Sequence, residues 1–265
     1  MSATLAGGDV LLEACDVVKT FGGITALHGV SLHVPTGSVT GLIGPNGSGK
    51  TTLLNCVSGV LKPSAGAVSF RGTPVTGWPA DRMARRGVVR TFQNIRLFGA
   101  LSAAENVEVN AVAAGNRRRA ARRVAREVMR RMDCEHLAGV ETRALSYGDQ
   151  RRVEIARALA GSPEVLLLDE PAAGMNDAES HHLGHQITML TQDPGCGVLL
   201  VEHDLRLIMS HCTYIYVLNE GQVISEGTPE HVSTDPAVVT AYIGDEDSDD
   251  AASARERAAA PRLES

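Results

Sequence analysis

The sequence predicts an α/β fold: a mostly parallel sheet flanked by helices, entered through a strand-rich segment and interrupted by a helical insertion. Three observations carry this. The apolar pattern Val39-Thr40-Gly41-Leu42-Ile43 runs into a glycine-rich loop and then a helix pattern, Thr52–Val57. Two more apolar runs, Glu164–Asp169 and Gly197–Glu202, each follow a helical stretch, the alternation that builds parallel sheets. Between the two halves, from Ser102 to about Ala138, the chain is rich in Ala and Arg and holds no β-run and no proline.

In chain order, Leu11–Val18 and Val30–Val34 have β character, and Gly66–Arg71 and Gly87–Phe92 continue the strand-rich first segment. Ser102-Ala103-Ala104-Glu105 is a capping box and should open the helical region. Within it, Val124, Val128 and Met132 form the expected apolar stripe. Arg117, Arg118, Arg119, Arg122, Arg123, Arg126, Arg130 and Arg131 form a basic face, read as solvated surface. Ser146 should cap a helix that is strong from Arg151 to Ala160, with Asp149 favouring its start. Tyr214–Leu218 and Gln222–Glu226, joined through Asn219-Glu220-Gly221, should form a hairpin. Thr228-Pro229 and Asp235-Pro236 each place a capping residue before a helix-starting proline, so two short helices should close the fold. After Gly244 the composition turns acidic, then Ala/Arg/Glu-rich without apolar period, and a disordered tail is expected over 245–265. The expected organisation is one domain over 9–244, with a helical insertion over about 94–160.

Composition narrows the function. The 265 residues are 43% hydrophobic, enough for a sizeable core, but aromatics are only 3%, so Leu, Val, Ile and Ala must fill it. A net charge of −6 disfavours a nucleic-acid binder. The five cysteines are scattered and form no CxxC pair, which reads as reduced thiols. No apolar run is long enough to span a bilayer, and no signal peptide is evident. His181, His182 and His185 lack the neighbouring Cys or carboxylate spacing of a metal site.

Gly44-Pro45-Asn46-Gly47-Ser48-Gly49-Lys50-Thr51 spells GxxxxGKT, the phosphate-cradling P-loop. Its glycines let backbone N–H groups turn inward around an anion, and the helix that starts there aims its positive end at the same place. Lys50 should reach the β- and γ-phosphates, and the Thr51 hydroxyl should ligate Mg²⁺. The ligand is therefore read as ATP or a like nucleoside triphosphate with Mg²⁺. The apolar run Val165–Leu168 ends in Asp169 and Glu170. Asp169 should hold the metal at the sheet edge, and Glu170, pointing elsewhere, should polarise an attacking water.

Leu145-Ser146-Tyr147-Gly148-Asp149-Gln150 resembles the LSGGQ signature of the ABC ATPases. The P-loop, the Asp169-Glu170 strand and this signature stand in that family's order and at its spacing, and the resemblance runs from Leu11 to Gly244. It implies a P-loop NTPase fold of the ABC type, with a RecA-like core, an N-terminal antiparallel β-subdomain and an inserted helical subdomain. It implies that Phe21 stacks on adenine, that Gly44–Thr52 and Gln93 line the nucleotide, and that Thr51, Gln93 and Asp169 serve Mg²⁺. Lys50, Glu170 and His203 become the catalytic set. Ser146, Tyr147, Gly148, Asp149 and Gln150 would face the ATP held by the other protomer, and Ala173–Asn176 would be the D-loop. Two departures stand out. Tyr147 and Asp149 replace the first Gly and the Gln of the usual signature, and Asn176 stands where many relatives carry Asp.

Gly87–Gln93, Arg96-Leu97-Phe98, Glu170–Gly174 with Asn176, and Ala241-Tyr242-Ile243-Gly244 resemble the ATPase subunit of branched-chain amino acid uptake systems. The resemblance implies a peripheral subunit on the cytoplasmic membrane face. It would work as a head-to-tail dimer with itself or a paralogue, on two transmembrane permease subunits and, indirectly, a solute-binding protein. Importers of urea, amides or other small polar solutes share much of this pattern. A soluble ABC ATPase acting on nucleic acid or ribosomes is the reading from another class, disfavoured by the acidic charge and the lack of a tandem domain or coiled coil. A non-catalytic regulatory ATP binder is disfavoured by the intact Glu170.

Overall fold

In the computed structural model, which describes residues 9–192 and 195–243, two sheets share one wall of side chains. The first starts with β1 (Val10–Phe21) and β2 (Ile24–Pro35), a long antiparallel hairpin turning at Gly22-Gly23. After β3 (Val39–Ile43) and α1 (Lys50–Val57) come β4 (Ala65–Phe70) and β5 (Thr73–Pro74), which complete a sheet of order β2-β1-β4-β5. The chain continues through α2 (Ala80–Arg86), β6 (Val88–Arg90), α3 (Ala103–Ala113), α4 (Arg118–Arg131), α5 (Tyr147–Leu159) and β7 (Val165–Asp169). It closes with α6 (Asp177–Leu190), β8 (Gly197–Val201), α7 (Leu205–His211), β9 (Tyr214–Asn219), β10 (Gln222–Gly227), α8 (Pro229–Thr234) and α9 (Pro236–Ile243).

The second sheet has the order β10-β9-β3-β8-β7-β6, parallel throughout except for the β9–β10 hairpin. Strand alternation sorts its side chains between two cores. Leu42, Val165, Leu167, Leu199, Val201 and Leu218 face the antiparallel sheet and α1. Val39, Ile43, Leu166, Leu168, Val198, Leu200, Ile215 and Val217 face the other side, where the remaining core helices pack. With both faces covered, β3, β7 and β8 are buried at every residue, which is why they read as unbroken apolar runs. Aliphatic residues do most of the filling; Phe70 and Tyr216 are the aromatics at 1% exposure.

Register fixes where the site lies. Leu42 of β3 and Asp169 of β7 both stand level with Val201 of β8, so the loops after β3 and β7 flank the end of β8. β6 runs beside β7 with Arg90 level with Leu167, which brings the segment after Arg90 to the same edge. A parallel sheet collects its ligands outside this carboxyl edge.

Several expectations need correction. The strand expected over Gly87–Phe92 is only Val88–Arg90, and it belongs to the parallel sheet, not to the antiparallel segment it follows. β2 begins at Ile24, well before Val30, because its pairing to β1 carries a stretch with little apolar alternation. The sequence did not announce α2 and α7; each has seven residues. The helical insertion is split between α3 and α4 around Gly115, whose φ is +94°. On α4 the buried stripe is Ala121, Ala125, Val128 and Met129, continued by Met132, and Val124 is only half-buried. Alanine carries close helix packing there, a signal that a search for large apolar residues passes over. The basic face is exposed except at Arg131, which is half-buried, and Arg122, Arg126 and Arg130 pair with Glu108, Glu127 and Glu135 nearby. The hairpin turn is Glu220-Gly221 alone, both at positive φ (45° and 75°), and Asn219 belongs to β9. Ser102 and Glu105 form the expected capping box. Thr228 caps α8 through its hydroxyl, and Asp235 accepts from the Ala237 N–H at the start of α9. The expected tail, 245–265, and Gly244 lie outside the described residues.

Candidate active site

The loop between β3 and α1 is shaped for an anion. Gly44 sits at φ +150°, and a Cβ there would meet the Leu218 carbonyl oxygen at 2.0 Å, so only glycine fits. Gly49 caps α1 at φ +105°. The side chain of Lys50 is folded back into its own loop, its Nζ donating to the carbonyls of Gly44 (2.6 Å) and Pro45 (3.0 Å). Burial holds the Lys50 pKa below its ordinary value, against the opposing pull of Glu170 and Asp169. The Ser48 hydroxyl is buried with no hydrogen-bond partner. A buried orphan hydroxyl and an ammonium held by loop carbonyls are both groups that a phosphate would satisfy. Asn46, Gly47 and Thr51 are exposed at the rim; Pro45 and Thr52 are half-buried.

At the end of β7, Asp169 is 3% exposed. Glu170 follows at φ +46°, a strained conformation for a non-glycine residue, and its N–H donates to the Val201 carbonyl at 2.9 Å. The Glu170 carboxylate accepts through Oε2 from Gln93 Nε2 at 2.9 Å. Gln93 thus touches the Glu170 carboxylate, a contact that its place after a strand did not foretell.

His203 follows β8 with its side chain 51% exposed and its Nδ1 3.8 Å from Glu202 Oε2. Glu202 itself is fully buried. Its Oε1 accepts from the Ala172 N–H at 2.7 Å and its Oε2 from the His203 N–H at 3.3 Å. Burial pushes the Glu202 carboxyl up to about 7 despite those bonds. One carboxylate therefore joins the segment after Glu170 to the histidine.

The signature residues open α5. Ser146 is the N-cap, its hydroxyl accepting from the Asp149 N–H and donating to the Asp149 carboxylate at 2.8 Å. The helix begins at Tyr147, four residues ahead of the stretch the sequence made strong. Gln150 donates to the Leu145 carbonyl at 3.0 Å. A Cβ on Gly148 would find its nearest neighbour at 3.6 Å, an ordinary contact, so nothing among the described residues demands glycine there. Asn176 caps α6 in a capping box with Glu179, a role its amide fills through Oδ1. Phe21 is 44% exposed at the hairpin tip, with Lys19 Nζ 4.9 Å from its ring centroid.

Lys50, Gln93, Asp169, Glu170 and His203 thus share one sheet edge. No hydrogen bond or ion pair among the described residues ties Ser146–Gln150 to the P-loop. Three charged residues of this edge were not foreseen from the sequence. Arg90 pairs with Asp169 at 2.8 Å, both side chains being 7% exposed or less. Arg151 is fully buried and donates to the carbonyls of Phe92 (2.8 Å) and Gln93 (2.7 Å), to Glu154 (2.7 Å) and to the Tyr147 hydroxyl (3.1 Å). It fastens the signature helix to the Gln93 loop. The third is Glu202. Arg90 and Glu202 had a faint signal, a charge directly after an apolar run; Arg151, among polar neighbours, had none.

Residues 27–173 match the ABC transporter family, and residues 222–248 match the branched-chain amino acid ATP-binding cassette transporter family. The chain is 40% identical over 250 residues to the high-affinity branched-chain amino acid transport ATP-binding protein BraF of Pseudomonas aeruginosa, covering 89% of this chain and 98% of that one. It superposes on a nucleotide-free ATP-binding cassette from an ABC transporter with a TM-score of 0.81 at 32% identity, covering 89% of this chain and 100% of the other. It also matches the cassette MJ0796, in a dimeric post-hydrolysis state bound to ADP and Pi, with a TM-score of 0.74 at 28% identity and coverage of 83% and 99%. The chain belongs to the ABC transporter ATPases, and it is a nucleotide-binding, ATP-hydrolysing cassette. Its near-full-length likeness to BraF and its C-terminal segment place it beside the ATP-binding subunits of branched-chain amino acid transporters. No helix among the described residues is long and apolar enough to cross a membrane.

Proposed function

We propose that this chain powers an importer of branched-chain amino acids, as a peripheral subunit on the cytoplasmic side of two permease subunits fed by a solute-binding protein. The hydrolytic part rests on one observation: Lys50, Gln93, Asp169 and Glu170 converge at one sheet edge, with Glu170 turned out of the strand by its positive φ. The choice of solute rests on the likeness to BraF and on the C-terminal match.

The proposed chemistry follows from the residues. Lys50 would exchange its loop carbonyls for the β- and γ-phosphates, trading two neutral acceptors for charged ones. Hard oxygen donors fit Mg²⁺: the exposed Thr51 hydroxyl, the Asp169 carboxylate and the Gln93 amide oxygen would hold it, directly or through water. Bound there, the ion would spread the charge developing on the transferred phosphoryl group. Glu170 would orient and deprotonate the attacking water, with Gln93 fixing the carboxylate's direction. His203, exposed on β8's end and backed by Glu202, would hydrogen-bond the γ-phosphate. Phe21, exposed at the hairpin tip, would stack on the adenine.

The second half of the site would come from another chain. The N-terminus of α5 is exposed at Ser146 and Tyr147, Gly148 is a glycine that its own chain does not require, and a dimeric cassette is among the similar structures. A helix N-terminus is an anion seat, so Ser146–Gln150 of one protomer would cover the γ-phosphate held by its partner. The partner would be a second copy or a paralogue. We take 9–244 as the cassette and about 94–160 as its inserted helical subdomain.

The test is purification of this chain from its native membrane with whatever subunits accompany it, followed by uptake in proteoliposomes. Leucine, isoleucine or valine transport that depends on ATP supports the proposal. Transport of urea or a short amide instead would move the chain to the neighbouring importer class, and recovery with ribosomes or RNA and no permease would refute transport.

A further inference from the structure

The Arg90–Asp169 pair stands where the metal is expected. Arg90 ends β6, and its guanidinium is held from three sides. One terminal nitrogen, Nη2, donates to Asp169 Oδ2 at 2.8 Å. The other, Nη1, donates to Asn55 Oδ1 and, at 3.3 Å, to Ser58 Oγ, both from the far end of α1, the helix that opens with Lys50 and Thr51. The ring of Phe92, the residue before Gln93, lies 5.3 Å from the guanidinium carbon. Arginine keeps its charge under all working conditions, and a guanidinium gripped at two donors cannot swing away as a lysine can. The buried pair therefore keeps its positive member charged at every working pH.

An unpaired carboxylate buried at this edge, with Glu170 beside it, would be a strong seat for any divalent cation. We propose that Arg90 is the positioning residue and resident counter-cation of Asp169, so that the metal seat stays weak until the triphosphate brings its own negative charge. One carboxylate oxygen, Oδ2, is committed to Arg90; the other is left for the metal's shell. This rests on the reading of Asp169 as a metal-facing residue. The short strand β6 acquires a purpose as well. By clamping Asp169 to α1, Arg90 ties the strand that leads into Gln93 to both phosphate-side elements.

Manganese binding to the full chain, followed by electron paramagnetic resonance without nucleotide, tests this. The wild-type chain is expected to bind Mn²⁺ weakly, and Arg90→Met at least about tenfold more tightly, because a buried charge loses its neutraliser. Arg90→Gln keeps hydrogen-bonding to Asn55 without the charge and should show the same gain. Arg90→Lys, which keeps the charge, should stay near wild type, and adding Asp169→Asn to Arg90→Met should erase the gain. Circular dichroism reports whether each variant is folded. Folded Met and Gln variants with wild-type Mn²⁺ affinity would overturn the proposal. A separate titration of Mn²⁺ with ATP distinguishes the underlying reading: if Asp169→Asn leaves that affinity unchanged, Asp169 does not face the metal and both ideas fall.

Discussion

At the scale of single residues, the site runs on charges that the fold has buried and matched. Glu202 shows how this becomes measurable. Its carboxyl is raised from 4.5 to about 7, mainly by burial. A folded-state pKa above the unfolded one means the native protein holds the extra proton, so this residue favours folding most below about 4.5 and loses that contribution as pH rises to about 7. Glu202→Gln keeps an acceptor for the Ala172 N–H and removes the titration. Melting temperatures from pH 4.5 to 8 should therefore fall less steeply in the variant than in the wild type; parallel curves would contradict the assignment. Glu202 was legible in the sequence only as the last residue of an apolar run, and its partner Ala172 lies 30 positions away. The P-loop, Asp169, Glu170 and the signature were legible because their chemistry demands fixed residue types at fixed spacing. Arg90 and Arg151 were not, because their partners stand 79 and 59 positions away and their type alone suggests surface.

At the scale of elements, local rules and long-range pairing divided the work. The Ser102 capping box announced α3, and the structure realises both of its reciprocal bonds, Glu105 N to Ser102 Oγ at 3.3 Å and Ser102 N to Glu105 Oε2 at 2.9 Å. Ser102→Ala should lower stability by about 1 kcal/mol in chemical denaturation while leaving ATP affinity unchanged, since the cap touches no site residue. A loss of ATP affinity would show that α3 is more tightly joined to the nucleotide than its contacts indicate. β3, β7 and β8 were readable from their own apolar runs. β6 was readable as a strand but not as a member of the parallel sheet, because three residues carry no information about their neighbour. The first half of β2 was invisible for the related reason that its partner strand, not its own pattern, extends it.

At the scale of the whole molecule, the two proposed anion seats lie in different parts of the chain. The P-loop lies at the edge of the parallel sheet, whereas Ser146 opens α5 in the helical region. Arg151 ties the helix that Ser146 opens to the Gln93 loop, and Gln93 in turn donates to Glu170. In dimers where one protomer carries Ser146→Arg, hydrolysis should fail for ATP bound by the other protomer's P-loop, because the bulky cation blocks the helix N-terminus facing it. Failure confined to the mutant's own P-loop would reverse the assignment. The most direct measurement is ATP turnover by Glu170→Gln in the assembled complex, taken alongside ATP binding. The amide keeps the shape but cannot take the water's proton, so ATP should bind as in the wild type while steady-state hydrolysis drops by about 10²-fold or more. Undiminished hydrolysis with Gln at this position would contradict the account.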